Sequence, residues 1–275
     1  MKKRLIDLLK LAIGLGLLYF LYTKLEDPAK LWQQIQDSNK LLLVAATGTY
    51  ALAVAASGLK WGILLRAINV AVPSSRLLSY QWVAEFFNNF LPAGVGGDVM
   101  RGYALASDTH RTADATASVL IDRFLGLFVF MLSAALASMA MLVWGRPNGQ
   151  PFSTEELISM RVMAVGSIML TLALVIVLAS LLSRRLKQIV DAILSFLPFS
   201  SKTMPIWQKL AAAFNAYRHE YGALLKSAGG SLLIVFLTSL QIWLIAMALE
   251  PGSISLLEVL VINPIIVLLL VAVPL

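Results

Sequence analysis

The sequence contains no cysteine and only two histidines, His110 and His219, among its 275 residues. It therefore has no disulfide framework, no thiolate metal site and no cysteine nucleophile, and two histidines leave little basis for a metal centre. The zinc-protease, nucleophile-elbow and P-loop motifs are missing as well. We therefore predict no metal and no other cofactor, and the sequence gives no reason to expect hydrolytic chemistry.

Charged residues are also scarce. They make up 13% of the chain, against 59% hydrophobic residues and a mean hydropathy of +0.81. Soluble domains carry about 25% charged residues, and no segment is polar enough over its length to form such a domain. These values predict an all-α integral membrane protein with a single transmembrane domain over residues 1–275. The net charge of +7 fits topogenic charge and contact with anionic lipid better than nucleic acid.

Six apolar runs predict about six spanning helices, at residues 8–22, 41–59, 119–143, 162–182, 228–249 and 256–275. The first is interpreted as an uncleaved anchor, because charged residues follow it where a signal peptide has its cleavage site. The second ends at Lys60. Between residues 186 and 225, apolar residues recur at helical spacing among polar ones, which predicts cytoplasmic amphipathic helices. The last run stops without a polar residue, which favours a chain truncated at its C-terminus.

The stretch from Glu85 to Arg101 departs from this apolar pattern. It combines two asparagines, a proline, three glycines and an aspartate at the predicted depth of the membrane. Polar groups and broken helix are costly in lipid unless protein or water satisfies them. The apolar segment that leads into the stretch, residues 77–91, rises only about 22 Å as a helix, against a bilayer core of roughly 30 Å. We therefore treat the stretch as a candidate functional site.

Two topologies are open for residues 77–106, a single crossing or a re-entrant helical hairpin that enters and leaves on one side. With the N-terminus inside, the hairpin leaves five cations outside, namely Lys24, Lys30, Lys40, Arg146 and Arg161. The other 17 of the 22 lysines and arginines are then inside, whereas a crossing puts only nine inside. The positive-inside rule therefore favours the hairpin. Breaks at Pro92 and at Asn263-Pro264 also suggest an inverted repeat.

The first half of the site has both structural and functional interpretations. Asn88 and Asn89 face about 100° apart on a helix, so one can line a cavity while the other bonds a neighbouring helix. Gly96 and Gly97 follow Pro92 and precede a helix N-terminus. Their backbone N–H groups form a recurrent anion-binding arrangement, although the same glycines also suit a tight turn.

The second half of the site contains the charges. Asp98 repels a phosphate at that N-terminus, but it lies three residues from Arg101 and either orients Arg101 toward lipid phosphate or forms a simple ion pair. Asp122 and Arg123 point apart, so each is expected to have its own partner. Arg123 either binds phosphate or extends to the membrane interface. Glu85 is protonated, paired with an arginine or in contact with water.

The run Asn88-Asn89-Phe-Leu-Pro-Ala-Gly-Val-Gly-Gly-Asp98-Val-Met-Arg101, followed by Ser118-Val-Leu-Ile-Asp-Arg123-Phe-Leu-Gly126, resembles the lysylphosphatidylglycerol synthase transmembrane-region family. The resemblance is close over residues 86–126 and looser elsewhere. It implies a polytopic bacterial inner-membrane protein that moves phospholipids or polyprenyl-linked lipids between leaflets. The matched positions are Asn89, Pro92, Gly96, Gly97, Asp98, Arg101 and Arg123. A second Pro-Gly-Gly-Gly-Glu-like element and a soluble aminoacyl-transferase domain are missing, so synthase activity is not implied.

Three functions remain open at this point. The first is a lipid flippase with a cytoplasmic N-terminus, in which Arg101 and Arg123 bind the phosphate and the asparagines and glycines contact the headgroup. In this interpretation Glu85, Asp98 and Asp122 orient or balance the arginines. The second is a lipid-modifying transferase with Asp98 or Glu85 as base, and the third is an accessory subunit of such an enzyme. A homo-oligomer is compatible with each.

Overall fold

The computed structural model describes residues 28–88, 96–147, 149, 151–196 and 200–272, and within these it contains ten α-helices and no strand. In chain order they are α1 (Pro28–Asp37), α2 (Lys40–Ala67), α3 (Ser74–Asn88), α4 (Gly96–Thr109), α5 (Thr112–Trp144), α6 (Thr154–Leu182), α7 (Arg184–Phe196), α8 (Ser200–Ala216), α9 (Tyr221–Leu249) and α10 (Leu256–Ala272). The prediction of an all-α protein is confirmed.

Four of the helices are long and apolar enough to cross a membrane. They are α2, α5, α6 and α9, which correspond to four of the six predicted spans. The 17-residue α10 is apolar but shorter, and it continues as a helix through Pro264, where the sequence predicted a break. The first predicted span, residues 8–22, lies outside the described residues. The chain is a polytopic membrane protein, and the inverted repeat stays a prediction.

The end of the second span differs from the sequence prediction. Lys60 was expected to terminate it, but α2 continues for two further turns to Ala67. Lys60 lies inside the helix bundle with only 6% of its surface exposed. The helix can continue because Lys60 has polar partners on neighbouring helices, so its charge does not have to reach the membrane surface.

Helices α3 and α4 form an antiparallel hairpin. At its open end, Asp108 near the end of α4 accepts hydrogen bonds from Arg76 near the start of α3 and from Tyr80 one turn further along α3. At its inner end, the side-chain oxygen of Asn88 accepts a 2.8 Å hydrogen bond from the backbone N–H of Gly97. The chain therefore enters and leaves the hairpin at the same end, as the re-entrant topology requires. Residues 89–95, which connect the two helices, lie outside the described part.

The open end of the hairpin lies beside the end of α2 and the start of α5. Arg111, which precedes α5, donates hydrogen bonds of 2.7 and 3.2 Å to the carbonyls of Asn69 and Ile68, which follow α2. We call this end of the bundle the hairpin end. Gly62 allows the close approach of α2 and α3, since a Cβ atom there would lie 2.5 Å from the Cδ1 atom of Leu77.

The opposite end of the bundle, the far end, is tied by an arginine. Arg146, just after α5, reaches Glu156 at the start of α6 (2.7 Å) and Glu258 at the start of α10 (2.9 Å). Asn39, which caps α2, donates its backbone N–H to the carbonyl of Ala248 in the last turn of α9. Helices α2 and α9 are therefore antiparallel neighbours, and α9 begins at the hairpin end.

The two amphipathic helices differ in their surroundings. Leu186 and Ile189 of α7 are 43% and 54% exposed, whereas Trp207 and Phe214 of α8 are buried. The side-chain N–H of Trp207 donates to the carboxylate of Asp191, which joins the two helices. The predicted amphipathic segment is confirmed over residues 186–196 and 200–216, which form two helices, and α8 packs its apolar face into the main core. Residues 221–225 of the predicted segment belong to the long apolar helix α9 instead.

Candidate functional site

Five charged side chains from three helices meet inside the bundle. They are Lys60 of α2, Asp98 and Arg101 of α4, and Asp122 and Arg123 of α5. We call this set the ion network. Charges inside a membrane protein are costly unless they are paired, and those that are retained commonly mark functional sites. The structure thus brings together the four charged residues predicted from the sequence at 98, 101, 122 and 123 and adds a lysine.

Arg101 lies at the centre of the ion network and is 3% exposed. Its Nε atom donates to Asp98 (3.0 Å), Nη2 to Asp122 (2.9 Å) and Nη1 to Gln81 (3.4 Å). The guanidinium carbon also lies 5.0 Å from the centre of the Trp61 ring, within the range of a cation–π interaction. All three guanidinium nitrogens thus have protein partners, which favours the ion-pair interpretation of Arg101 over direct phosphate binding.

Lys60 completes the pairing of Asp122. Its Nζ atom lies 2.9 Å from Asp122 Oδ1 and donates a 3.1 Å hydrogen bond to the Ser231 hydroxyl of α9. Gly230 provides the space for the lysine stem, because a Cβ atom at this glycine would lie 2.9 Å from Lys60 Cγ. Asp122 therefore binds two cations from two different helices, which is the arrangement that a buried carboxylate requires.

Arg123 is the most accessible charge of the ion network. Its side chain is 41% exposed, whereas that of its partner Asp98 is 14% exposed. Asp98 thus accepts from two arginines, the exposed Arg123 and the buried Arg101. This geometry suits an exchange in which an incoming anion replaces Asp98 at Arg123 while Arg101 continues to neutralise Asp98.

A chain of hydrogen bonds extends the ion network along the hairpin. Gln81, which accepts from Arg101, donates a 3.1 Å hydrogen bond to Glu85, and Glu85 also accepts a 3.3 Å hydrogen bond from the Tyr50 hydroxyl of α2. Glu85 therefore lies at the end of a polar path that begins at Lys60. This connection supports its predicted role in balancing the charge of the site.

The backbone at the hairpin's inner end is closely packed. The N–H group of Gly97 already donates to Asn88, and a Cβ atom at Gly97 would lie 2.6 Å from the Asn88 side-chain oxygen. These contacts favour the tight-turn interpretation for Gly97 over an open anion site, and they give Asn88 the hydrogen bond to a neighbouring helix that its structural interpretation predicts. Gly96 is buried at the start of α4. Asn89 and Pro92 lie outside the described residues, so their predicted roles stay predictions.

The ion network lies well inside the bundle. Lys60 is seven residues from the end of α2, and Asp122 and Ser231 are each ten residues from the starts of α5 and α9. At 1.5 Å per residue, these positions are about 10–15 Å from the hairpin end. The ion network contains three cations and two carboxylates, and Glu85 at the end of the polar path is a third carboxylate.

Sequence reasoning missed five contributors to the site: Lys60, Trp61, Gln81, Tyr50 and Ser231. Lys60 carried a signal, because helical apolar residues continue on both sides of it as far as Leu65. A lysine flanked in this way predicts a buried partner as well as a helix end. The polar uncharged residues carried no comparable signal, since similar residues occur throughout the apolar helices.

The fold and the ion network define a polytopic α-helical membrane protein with a buried charged site beside a re-entrant hairpin. The family model of the lysylphosphatidylglycerol synthase TM region matches residues 8–275, and the chain belongs to this family. The resemblance predicted from the sequence is therefore confirmed, and it associates the chain with membrane lipids. Comparison with curated proteins and with solved structures gave no match.

Proposed function

We propose that the protein is a lipid flippase of the bacterial cytoplasmic membrane. It moves a phospholipid or a polyprenyl-linked lipid between the two leaflets, and its N-terminus and hairpin end face the cytoplasm. Family membership supports a lipid substrate. The uneven distribution of positive charge supports the orientation, because 17 of 22 lysines and arginines then lie on the cytoplasmic side.

The observation that carries the proposal is that the half-exposed Arg123 shares Asp98 with the buried Arg101 at the edge of the ion network. A lipid phosphate is the anion that a membrane supplies to such a site, and arginine binds phosphate through paired, charge-assisted hydrogen bonds. The phosphate takes the place of Asp98 at Arg123. Asp98 keeps its 2.8 Å ion pair with Arg101, so the exchange leaves no carboxylate unneutralised in the bundle.

In this proposal Arg101 positions the site. It holds Asp98 through Nε and Nη2 and Asp122 through Nη2, and Asp122 in turn holds Lys60. The hairpin, α2 and α5 are thereby joined around one charged centre. Passage of a charged headgroup through lipid needs such a polar route. The proposal also includes headgroup contacts by Asn88, Asn89 and Gly96, which follow from the sequence and not from a geometry seen in the described residues.

A translocation assay tests the proposal. The purified chain is reconstituted into vesicles with a fluorescent phospholipid in both leaflets, and an impermeant reductant bleaches the outer leaflet. We expect nearly complete bleaching with the wild type and with Arg161→Gln, an exposed cation of α6 outside the network. Arg123→Gln should reduce the rate by at least about tenfold, because a charge-assisted bond contributes roughly 1.5–3 kcal/mol.

Three outcomes contradict the proposal. If vesicles with well-folded wild type bleach only halfway for every phospholipid and polyprenyl phosphate tried, the chain is not a flippase by itself and an accessory role is favoured. If mass spectrometry of the vesicles finds a new lipid species after addition of donor substrates, the chain is a lipid-modifying transferase. An Arg123→Gln rate equal to that of the wild type removes Arg123 from the site.

A further inference from the structure

We infer that a polar cleft and an apolar groove on helix α9, both outside the ion network, together form one binding site for an entire phospholipid. The phosphate binds in the cleft at the hairpin end, and an acyl chain lies in the groove. The choice of a phospholipid as ligand rests on the proposed function. The site itself is argued from its own geometry, and its occupancy is measured without any translocation.

The cleft lies between the end of α2 and the start of α9 and has a volume of 420 Å³. Its charged lining residues are Arg66, Lys226 and Glu220. In the described part of the chain neither cation forms an ion pair with a carboxylate, and Arg66 uses only its Nε atom, in a 3.1 Å hydrogen bond to the Gly62 carbonyl. Two cations and one carboxylate leave the cleft with a net positive charge that suits a phosphate.

The groove lies between α5, α9 and α10 and has a volume of 960 Å³. Ser133 and Gly229 aside, its lining side chains are all apolar, among them Leu136, Leu233 and Phe236. On α5 the lining extends from Ser133 to Trp144, a length of about 16 Å along the helix. A groove of this composition within a membrane takes hydrocarbon, because apart from the Ser133 hydroxyl and the Trp144 indole N–H its lining side chains are apolar.

The cleft and the groove lie along one face of α9. Gly222 and Lys226 line the cleft, and Gly229, Leu233 and Phe236 line the groove. These five residues are spaced by four, three, four and three positions, so they form one stripe along the helix. The stripe is positively charged near the helix start and apolar further in. A phospholipid presents its phosphate and acyl chain in the same order, from the membrane surface inward.

The cleft is also placed on the way to the ion network. Arg66 lies six residues beyond Lys60 on α2, and Lys226 lies five residues before Ser231 on α9. The cleft is therefore about 8–9 Å nearer to the hairpin end than the contact between Lys60 and Ser231. A lipid held there has its headgroup at the membrane surface, one and a half helical turns from the first charge of the network.

Native mass spectrometry of the full chain in detergent, titrated with phosphatidylglycerol, tests the phosphate half of the site. The double variant Arg66→Gln/Lys226→Gln should weaken binding at least about tenfold, since it removes two charge-assisted contacts. Lys209→Gln, an exposed cation of α8, is the matched control and should leave the affinity unchanged. Equal affinities for the wild type and the double variant overturn the inference.

The acyl half is tested by filling the groove. Gly229 has open space around the position of a Cβ atom, so Gly229→Phe should fold normally and block the groove, again with a loss of about tenfold or more in lipid affinity. Gly166 of α6 is similarly open and exposed, and Gly166→Phe is the control. Competition with inorganic phosphate separates a free anion from a lipid. Displacement of the lipid at equal concentrations would identify a simple anion site and overturn the inference.

Photo-crosslinking identifies the occupant of the groove. A photoreactive residue at Leu233, in the full chain within phosphatidylglycerol vesicles, should form adducts with lipid. Adducts mainly with the chain's own N-terminal residues or with a second copy would overturn the inference. If lipid affinity falls in the variants as expected but the wild type does not flip lipid, the proposed function is refuted and this binding site stands. If the wild type flips lipid but the double variant binds lipid as tightly as the wild type, this inference is overturned and the proposed function stands.

Discussion

Replacing Asp122 by asparagine removes one negative charge from the centre of the ion network and keeps the size of the side chain. In the wild type, Asp122 pairs with Lys60 and Arg101, and the three side chains are only 4–6% exposed. After the change Arg101 still has Asp98, whereas Lys60 has no carboxylate partner among the described residues. One buried cation therefore loses its counter-charge, which costs about 3–5 kcal/mol in comparable buried pairs.

The free energy of unfolding of this variant can be measured in mixed micelles by denaturant titration, followed through the fluorescence of the six tryptophans. The control is Asp114→Asn on the same helix, whose ion pair with Arg111 is 30–41% exposed. Because solvent screens exposed pairs, this control should lose less than about 1 kcal/mol. Equal losses for the two variants would show that the burial of Asp122 does not determine its contribution.

A second variant separates lost pairing from lost packing. Lys60→Met combined with Asp122→Asn removes both members of the pair and leaves Arg101 with Asp98, so no charge is stranded. We expect the double variant to be more stable than Asp122→Asn alone by about 1–3 kcal/mol. The single variant Lys60→Met is measured as well. If the stability losses of Asp122→Asn and Lys60→Met add up to that of the double variant, the reasoning from an unpaired buried charge is refuted.

Three further predictions concern packing and the far end. Gly62→Val should destabilise the protein by about 1–3 kcal/mol because its side chain overlaps Leu77, and a smaller loss in a Leu77→Ala background would confirm that contact. Tyr217→Phe should raise the thermal midpoint, since the Tyr217 hydroxyl is buried without a hydrogen-bond partner among the described residues and burial raises its pKa. An unchanged or lower midpoint would show that the hydroxyl has a stabilising contact. Arg146→Gln should cost about 1–2 kcal/mol by releasing Glu258, and a stability within about 0.3 kcal/mol of the wild type would contradict this.

The sequence predicted those parts of the fold that depend on local pattern. The long apolar runs specify α2, α5, α6 and α9 because only a helix satisfies its own backbone in lipid. The hairpin could be predicted because the apolar run at residues 77–91 is too short to span the bilayer and because the distribution of lysine and arginine favours entry and exit on one side. The pair of Asp98 and Arg101 was also predictable, since residues three apart on a helix are neighbours.

The remainder depends on contacts between distant helices. No residue close to Lys60 in the chain indicates that Asp122 and Ser231 are its partners, so the sequence alone favours a helix end at Lys60. Likewise, the saturation of Arg101 requires Gln81 and Asp122 to be brought to one point by three helices. The sequence therefore identified four of the five charged residues of the ion network, but not which of them pair with each other.

The burial of Lys60 also has a consequence for the synthesis of the protein. Helix α2 enters the membrane before α5 has been made, and long before Ser231, which lies 171 residues further along the chain. Until then Lys60 lacks the carboxylate partner that it has in the folded protein. The cost is at most about 2.5–3.5 kcal/mol, the value for a cation at the centre of a membrane helix, because Lys60 lies about 10 Å from the end of α2. A chain interrupted before α5 therefore retains this charge in the bilayer without Asp122.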